Sequence, residues 1–574
     1  MGWPPGPYEA STYTSAIPSP AEGNILVKYR PAPNYLPPLA LSDPFNRSAP
    51  PGLPGETVVR SILEDRTLTT GILLALLIVF AVSYARSPWR KLPPSPRRTP
   101  IIGNSLQLSD LHWLISKDCK DRFGEVMYLD AAGSPTVVLN SLKPAVELLE
   151  RRSNNYSDRP RLIMAQEILS KGLVMGFMSY TASWRRQRRA AQAALSKEAV
   201  QEYYPVLTKE ATVLVSALLT NSSSSDRTKH FQRAATSAIM SILYDYPTLI
   251  SGQDTAIKGI HNYNQRVEYA ATPGSFLVES FPWMMYIPQR FAKWKREGLQ
   301  QAAEHQEMFL RLLNRVRGDL VSGGTRPSIS ASLILGADCN LLAEAEMAFL
   351  AGSMHSAGSG TIVSVLNWWT VAMVAFPEAQ RRAQAELDIV VGRDRFPTFS
   401  DSPHLPYIHA LVKETLRWRP AAPFGVPHVA TREDWYEGMY IPKGTACMAN
   451  IWQCNHDPAV FGDDADEFRP ERFLDERGEL DPNQEGYYTY GFGRRNCVGK
   501  LLANDSLFLY VARTLWAVNL ERVRDESGNE VMPDTDTLVG PGPFIHPAPF
   551  DCKVTPRFPE LTSLLAEERD SWGV

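Results

Sequence analysis

Residues 490–499 read Tyr-Gly-Phe-Gly-Arg-Arg-Asn-Cys-Val-Gly and place one cysteine, Cys497, in a turn rich in glycine and arginine. The apolar segment that follows, Leu501 to Leu520, predicts a helix. A thiolate at this place can bind a metal, because N–H groups at a helix N-terminus stabilise the negative charge of the sulfur. Such a thiolate is an axial ligand of haem iron in some proteins. The alternative is a buried, unreactive thiol, which is common for a free cysteine.

The spacing within this stretch resembles the haem-binding loop of the cytochrome P450 family. An aromatic residue stands seven positions before Cys497, a glycine four before, an arginine two before and a glycine two after. Tyr490 departs from the pattern, since the family usually has phenylalanine there. The resemblance implies that Cys497 ligates the iron of haem b (iron-protoporphyrin IX) and that Arg495 meets a haem propionate. Gly493 and Gly499 would let the main chain pass close to the flat macrocycle.

Length and composition favour a large folded domain and argue against a nucleic-acid partner. The chain has 574 residues, is 44% hydrophobic and carries a formal net charge of −3. A charge so near balance gives no broad basic surface for nucleic acid. The six cysteines are scattered without paired spacing, which fits a reducing compartment. Cys454 and His456 are close in sequence, but no second pair completes a zinc site.

The first 66 residues are a separate, proline-rich region. Thirteen prolines lie between Pro4 and Pro54, with glycine and serine among them. A segment of this composition cannot bury enough apolar surface to fold, so we expect a disordered tail over 1–66. Asn46 begins the glycosylation sequon Asn46-Arg47-Ser48. If the tail is luminal, Asn46 is expected to carry a glycan.

Residues 67–85 predict a transmembrane signal anchor, with a buried core helix as the alternative. These nineteen positions contain no charged residue, which is just long enough to span a bilayer. A cluster of basic residues follows: Arg86, Arg90, Lys91, Arg97 and Arg98. The positive-inside rule then leaves the C-terminal part in the cytosol and the tail in the lumen. We therefore expect a single-pass protein of the endoplasmic reticulum membrane.

A basic, proline-rich hinge over 86–110 is expected to join this span to one large domain, 111–574. The stacked prolines within it form a stiff, extended spacer. They are similar to the hinge of membrane-bound cytochromes P450. Beyond the hinge the sequence contains no further linker or repeat. Its patterns predict a mainly α domain with a small β region.

An arginine-rich stretch, Trp184 to Arg189, opens a predicted helix that runs to Leu195. Trp184 and Arg188 lie one turn apart and so face the same way. A solvated or partner-binding face is the alternative for such a charged run. In the family, a tryptophan and an arginine at this spacing reach a haem propionate. The remaining arginines would then face an acidic redox partner.

A long apolar helix is predicted from Glu344 to Val374. Within it, the run Ala357-Gly-Ser-Gly-Thr361 places two glycines where they are costly, and such a site tends to kink. The run resembles the oxygen-activation motif of the family, with Thr361 as its catalytic threonine. Gly360 stands where the family usually has an acid. Two alternatives are a register that ends at His355 and a simple packing site of small residues.

Glu414 and Arg417 share one face of a helix predicted over 407–418, because they are three residues apart. An ordinary surface ion pair would explain this short pattern. The resemblance implies instead that both join Arg472 in a buried network that braces the haem side of the core. His428 aligns with a basic residue that binds a haem propionate, and a surface or core histidine is the alternative.

The order of these motifs matches the cytochrome P450 family over most of the chain. The implied fold is the cytochrome P450 fold, mainly α with a small β region, preceded by one transmembrane helix. The sequences at 376–386 and 547–557 look like those of fungal members that serve secondary metabolism. The resemblance implies a haem-thiolate monooxygenase that inserts one oxygen atom from O₂ into a lipophilic small molecule of the terpenoid, steroid or polyketide class.

The implied partners are a redox protein, membrane lipid and the substrate. The chain has no flavin or nicotinamide fingerprint of its own, so electrons from NADPH would arrive through NADPH-cytochrome P450 reductase, with cytochrome b5 as a further candidate. The segment Phe281 to Ile287 looks like a loop that dips into the membrane surface. Two other functions remain open: a haem-thiolate isomerase or dehydratase that needs no O₂, suggested by Gly360, and a membrane haem-binding protein without catalysis.

Overall fold

The structure, a computed structural model, describes residues 66–574 apart from 101, 109–116, 132, 221–222, 250–254, 273, 325, 485–487 and 540–543. The predicted disordered tail and Asn46 therefore lie outside the described residues. The chain divides into two compact units, Met1–Lys91 and Leu92–Val574.

The first unit contains helix α1, Arg66–Arg86, followed by a 3-10 turn, Pro88–Lys91. Between its two terminal arginines α1 has no charged residue. The segment Thr69–Arg86 is 0% buried, so its large apolar side chains are exposed. A helix that is apolar on every side is normally buried in protein or in a bilayer. By length and composition α1 is able to cross a membrane.

The second unit is mainly helical. In chain order its α-helices are α2 (Ser105–Leu108), α3 (Lys117–Phe123), α4 (Leu142–Ala145), α5 (Ser153–Tyr156), α6 (Ala182–Ala194), α7 (Lys197–Glu202), α8 (Tyr204–Thr220), α9 (Ser224–Tyr244), α10 (Thr255–Ala271), α11 (Leu277–Ser280), α12 (Lys293–Val321), α13 (Ile329–Leu335), α14 (Ala337–Asn340), α15 (Glu344–Ala375), α16 (Pro377–Val390), α17 (Pro406–Trp418), α18 (Ile451–Asn455), α19 (Pro458–Phe461), α20 (Lys500–Ala517) and α21 (Leu561–Trp572). Wider π-type turns occur at Val146–Arg151 and Ile163–Leu169. Short 3-10 turns occur at Pro282–Tyr286, Gln289–Phe291, Phe399–His404, Pro470–Phe473 and Gly493–Arg495.

Helix α15 is the buried centre of this unit, as its apolar sequence predicts. It packs against α9, α12, α13 and α17, and residues 346–352 and 362–375 are buried. The Glu346 carboxylate accepts a hydrogen bond from the Ala343 N–H at 2.9 Å. This bond satisfies a donor that has no partner inside the helix. The helix continues unbroken through Gly358 and Gly360.

The strands are short and form one four-stranded sheet and three strand pairs among the described residues. They are β1 (Val126–Ala131), β2 (Ser134–Leu139), β3 (His428–Val429), β4 (Asp434–Tyr436), β5 (Met439–Ile441), β6 (Ala446–Ala449), β7 (Val518–Arg522), β8 (Leu538–Val539), β9 (His546–Pro547) and β10 (Cys552–Pro556). The larger sheet has the order β1-β2-β6-β3. Strands β2 and β6 are parallel, and the other two pairings in that sheet are antiparallel.

Alternate residues of β1 and β2 enter two different cores, as the two-residue period of a strand requires. Val126, Tyr128 and Val137 belong to a core that also contains Phe492 of the cysteine loop. Met127, on the opposite face, belongs to a second core. The sheet is therefore buried on both faces, and one face supports the cysteine loop.

Two predicted boundaries differ from the structure. The helix expected over Leu501–Leu520 ends at Ala517, because residues from Val518 onward pair with β10 in strand β7. The large unit begins at Leu92, so the stretch predicted as a hinge over 86–110 is divided. Its later part is integrated into the large unit, where the Pro94 carbonyl accepts a hydrogen bond from the Tyr128 N–H at 2.8 Å.

Candidate functional site

The loop that carries Cys497 is shaped by main-chain contacts. The Cys497 N–H donates to the Tyr490 carbonyl at 2.8 Å, which closes the loop around the 3-10 turn. Gly493 has φ +55°, and a Cβ there would collide with the Leu149 carbonyl. Glycine is thus required at 493 by the protein's own backbone. The hydroxyl of Tyr490 donates to Asn504 Oδ1 at 2.7 Å and ties the loop to α20.

The Cys497 thiol is accessible although protein surrounds it. The residue is exposed by surface area, yet burial raises the pKa of its thiol, while the Gly499 N–H and the charges of Arg188 and Lys500 oppose that rise. The Cys497 side chain is therefore open to a ligand while protein atoms surround its sulfur closely enough to raise the pKa of the thiol. Gly499 precedes α20, so the N-terminus of that helix points its N–H group at the sulfur, as the sequence predicts.

Helix α6 brings Trp184 and Arg188 to this loop. The Thr181 hydroxyl accepts a hydrogen bond from the Trp184 N–H at 3.3 Å and begins the helix. Arg188 donates to the Asn496 carbonyl at 2.8 Å and to Asn496 Oδ1 at 2.6 Å. The guanidinium of Arg495 lies 4.2 Å from the centre of a Trp184 ring. Trp184, Arg188 and Arg495 therefore meet beside Cys497.

Arg495 is fixed by main-chain carbonyls. Its Nε donates to the Ser157 carbonyl at 2.8 Å, and its Nη2 donates to the Met178 carbonyl at 2.6 Å. Burial lowers the pKa of Arg495 to about 10. Across the described residues, neither Arg188 nor Arg495 lies in an ion pair with a carboxylate. Two partly buried cations are therefore left for an anionic group to neutralise.

His428 lies at the start of β3 with its ring buried. Its Nδ1 is 2.7 Å from the Tyr156 carbonyl, so Nδ1 must carry the hydrogen. Burial and the charge of Arg159 lower the pKa of the imidazole to about 3. The neutral ring then offers only an acceptor at Nε2. A propionate role for His428 accordingly requires that the bound anion raises the pKa of the ring.

Helix α15 has an open face at the predicted oxygen motif. Ala357 and Gly360 are exposed, whereas the turns of α15 on either side are buried. The Thr361 hydroxyl donates to the Ala357 carbonyl at 2.8 Å, which leaves its oxygen free to accept. A Cβ at Gly360 would meet nothing within 4 Å. Ala357 and Gly360 therefore interrupt the buried surface of α15 beside Thr361.

The alternative register places its histidine elsewhere. His355 is buried, and neither ring nitrogen has a hydrogen-bond partner in the described part of the chain. Burial and the nearby His261 lower the pKa of His355 to about 4. His355 lies six residues before Thr361, which puts the two side chains on different faces of the helix. The structure thus separates His355 from the open face at Thr361.

Glu414, Arg417 and Arg472 form one buried network. Arg417 donates to both carboxylate oxygens of Glu414, from Nε at 2.6 Å and from Nη2 at 2.8 Å. Arg472 Nε donates to Glu414 Oε1 at 3.1 Å. The side chains of Glu414 and Arg417 are 0% exposed, so an ordinary surface ion pair is excluded.

Cys497, Arg188 and Arg495 together fit a haem. Among the described residues no group of three or more His, Cys, Asp or Glu side chains is placed to hold a metal ion. The Cys497 thiolate is a donor that haem iron accepts as an axial ligand. The cations of Arg188 and Arg495 beside it suit the carboxylates of that macrocycle.

Sequence reasoning did not identify Asn496 or Arg159 as parts of this site. Asn496 orients Arg188, and Arg159 donates to the Val426 and Pro427 carbonyls beside His428, at 2.6 and 2.8 Å. No sequence signal identifies Arg159, because only the tertiary fold brings it to β3.

Comparison with known proteins gives one family. The family model for cytochrome P450 matches residues 93–547. A cytochrome P450 monooxygenase of Armillaria gallica is 46% identical over 519 residues, covering 89% of this chain and 99% of the relative. Cytochrome P450 monooxygenase 58 of Postia placenta is 43% identical over 515 residues, covering 88% and 97%. A solved structure of a zebra fish cytochrome P450 with abiraterone has a TM-score of 0.62 at 26% identity, covering 78% of this chain and 100% of that chain.

Replacing Glu414 by glutamine should destabilise the protein by about 3–5 kcal/mol, because two buried guanidinium groups lose their counter-charge. The free energy of unfolding, measured with guanidinium chloride in detergent, tests this. Glu378→Gln is the matched control, since the Glu378–Arg381 pair is exposed and should change stability by at most about 1 kcal/mol. Equal effects of the two variants would show that the buried network does not brace the core.

Proposed function

The chain belongs to the cytochrome P450 family and is a monooxygenase of that family, and from this premise we propose that it inserts one atom of O₂ into a C–H or C=C bond of a lipophilic small molecule. A terpenoid, steroid or polyketide of fungal secondary metabolism is the proposed substrate class. The observation that carries the proposal is the exposed Cys497, which lies beside Arg188 and Arg495, two arginines that have no carboxylate partner among the described residues. The other oxygen atom leaves as water.

Haem bound at this site would supply the iron centre at which O₂ is reduced. Cys497 would hold the iron, with the Gly499 N–H and Arg188 stabilising the thiolate. Trp184, Arg188, Arg495 and His428 would hold the propionates. The main-chain bonds of Arg495 keep its guanidinium in place while other N–H groups of its five remain available to an anion. Thr361 would pass protons at its hydroxyl oxygen.

We propose NADPH-cytochrome P450 reductase as the electron donor, with cytochrome b5 as a further candidate. An exposed basic surface near the cysteine loop supports an acidic partner. It is made of Arg185, Arg189, Arg494 and Lys500, all exposed. The contact between Arg188 and Asn496 joins α6 to the loop and so brings these charges to one side of the large unit.

The proposed location is the endoplasmic reticulum membrane, with α1 as the anchor, the large unit in the cytosol and Asn46 glycosylated in the lumen. A second apolar surface lies in the large unit itself. It is made of exposed residues in α11 and in the two 3-10 turns that follow it: Leu277, Phe281, Trp283, Tyr286 and Phe291. The exposed Arg290 beside them suits lipid headgroups. Lipid contact here would favour substrates that arrive from the bilayer.

A haem-thiolate isomerase or dehydratase is the second candidate, and Gly360 is the observation that favours it. Such an enzyme needs no proton delivery to O₂ and would turn over without NADPH. Product formation by membranes that contain the chain and a reductase, with and without NADPH, separates the two candidates. Turnover that is independent of NADPH would overturn the monooxygenase proposal.

Cys497→Ser should abolish the Soret band that a thiolate-ligated haem gives after reduction in carbon monoxide. The serine hydroxyl cannot supply the thiolate's electron density to the iron. Cys339→Ser is the control, because Cys339 is exposed and lies outside the site; it should keep the band. A band that survives in Cys497→Ser would contradict the assigned ligand.

Thr361→Ala should release more hydrogen peroxide per NADPH consumed, because proton transfer at the site loses its hydroxyl. Thr370→Ala is the matched control. Thr370 makes the same back-bond within α15, donating to the Leu366 carbonyl at 2.8 Å, but is fully buried. Equal peroxide release by both variants would mean that Thr361 only packs.

Leu76→Arg combined with Ile78→Arg should move the chain from the pellet to the supernatant in alkaline carbonate extraction. Arginine at the centre of a spanning helix costs about 2.5–3.5 kcal/mol for each residue. Tyr84→Arg, at the end of α1, is the control and should remain in the pellet. Retention of the double variant in the pellet would remove α1 as the anchor.

A further inference from the structure

Residues 160–175 form a loop whose two ends meet beside the cysteine site. Arg159 Nε, directly before the loop, donates to the Gly176 carbonyl, directly after it, at 3.1 Å. Arg495 Nη2 donates to the Met178 carbonyl at 2.6 Å, just beyond the second end. A loop with its ends held together in this way is of the Ω type. Its base is therefore part of the same structure that holds Arg495.

The outer part of this loop is a short helical segment that has no cap of its own. The π-type turn Ile163–Leu169 follows Leu162, whose side chain makes no capping bond. The first N–H groups of a helix have no partner inside it. Here the N–H groups of Ile163 and Met164 both donate to the carboxylate of Glu279, at 2.9 Å to Oε2 and at 2.7 Å to Oε1. Charge-assisted bonds of this kind are stronger than bonds between neutral groups.

Glu279 belongs to α11, a single turn that has two different faces. Val278 is 1% exposed and lies on the inner side with the half-buried Glu279, whereas Leu277 and Phe281 are 61% and 50% exposed. Residues 277 and 281 are four apart and so share one face of the turn. The side chain that bonds the loop and the side chains proposed to contact lipid thus lie on different sides of the same turn.

The charge beside the outer face suits lipid headgroups. Arg290 and Arg296 are both exposed, and Arg296 Nη1 donates to the Gln289 carbonyl at 3.2 Å, which holds it against the second 3-10 turn. Aromatic side chains next to cations are typical of residues at the boundary between water and a bilayer. Water around these apolar side chains is unfavourable. A bilayer therefore stabilises the arrangement in which α11 and the turns after it lie on its surface.

Contacts with α10 and α12 hold only the later part of the helical segment. Ile168 packs against Gly298 of α12, where a Cβ would come within 2.8 Å of its side chain. The Ser170 hydroxyl is 3.3 Å from the Tyr263 hydroxyl of α10. The two N–H groups at the start of the segment are bonded instead from α11.

We propose that Glu279 is a clasp that makes the position of the loop 160–175 depend on contact with lipid. Lipid against the outer face of α11 holds this turn in place, and the carboxylate on its inner face then holds the start of the helical segment. When lipid contact is lost, α11 moves, the two N–H groups bond to water and the outer part of the loop opens. The base stays closed, because Arg159 and Arg495 hold it.

The inference rests on the lipid contact proposed above for this surface and gives that contact a second role. A bilayer would not only deliver the substrate. It would also set the position of a loop whose base adjoins the residues proposed to hold the haem propionates.

The first test replaces the clasp in the full-length holoenzyme in phosphatidylcholine nanodiscs. Glu279→Gln should speed amide hydrogen exchange of the peptide 162–169 by about 10-fold or more, because it loses at least one charge-assisted bond. Exchange of the peptide 176–180, at the base, should stay at the parent rate. Glu307→Gln is the control, since Glu307 lies in an exposed pair with Arg311 on α12. Slow exchange at 162–169 in E279Q, or faster exchange throughout the large unit, would overturn the clasp.

The second test changes the lipid side and leaves Glu279 intact. Phe281→Ser combined with Trp283→Ser should speed exchange at 162–169 about as much as E279Q does, because α11 loses its contact with lipid. Ile389→Ser is the matched control: Ile389 is 84% exposed but belongs to α16, so its exchange pattern should be that of the parent. A double variant that keeps 162–169 at the parent rate would refute the coupling to lipid.

The third test combines the changes. The variant E279Q/F281S/W283S should exchange no faster at 162–169 than E279Q alone, because the clasp is already open. Rates that multiply would show two independent effects and would overturn the proposal.

A separate measurement reads the lipid contact itself. Brominated phosphatidylcholine in the nanodisc should quench tryptophan fluorescence less in Trp283→Phe than in the parent. Equal quenching would refute the lipid contact and with it the coupling. Reduced quenching together with unchanged exchange in E279Q would refute the clasp and leave the proposed lipid contact standing.

Discussion

A buried carboxylate, Glu414, joins helix α17 to the segment 455–472 that leads toward the cysteine loop. Four hydrogen bonds converge on it: two from Arg417, one from Arg472 Nε at 3.1 Å and one from the Arg469 N–H at 2.7 Å. Burial of a charge in a low-dielectric interior is tolerated only when such partners satisfy it. The two arginines bring a net positive charge, and their remaining N–H groups donate to main-chain carbonyls of residues 455–467. The network therefore ties several main-chain positions between residues 455 and 467 to helix α17.

The same network reaches the cysteine loop through Asn455. Arg417 Nη1 donates to the Asn455 carbonyl at 2.7 Å, and the Asn455 side chain donates to the Arg417 carbonyl at 3.2 Å and to Thr489 Oγ1 at 3.1 Å. Thr489 in turn donates to the Leu416 carbonyl at 2.6 Å. Thr489 immediately precedes Tyr490, whose carbonyl accepts from the Cys497 N–H. A short path of hydrogen bonds thus joins Glu414 to the thiol loop, and it explains why residues far apart in sequence must be present together.

The sequence predicts the parts of this arrangement that depend on local periodicity. Glu414 and Arg417 are three residues apart on one helix, and Trp184 and Arg188 are four apart on another, so the shared face of each pair follows from helix geometry. Contacts between distant segments have no such local signal. Gly493 was expected to admit a macrocycle, whereas the structure also requires glycine there because the backbone passes the Leu149 carbonyl. The end of α20 at Ala517 likewise depends on pairing with β10, which no local pattern in 501–520 reveals.

The two sides of the site differ in how their chemistry is held. On the thiol side, ligand and supports are bound to one another by short hydrogen bonds within a rigid network. At Gly360, α15 has no side chain that could be fixed to the same helix as Thr361. The nearby Ser356 hydroxyl is instead bonded to Asn264 of α10. The polar groups of this part of α15 therefore depend on how α10 is docked, whereas the cysteine loop is held by hydrogen bonds that lead back to Glu414.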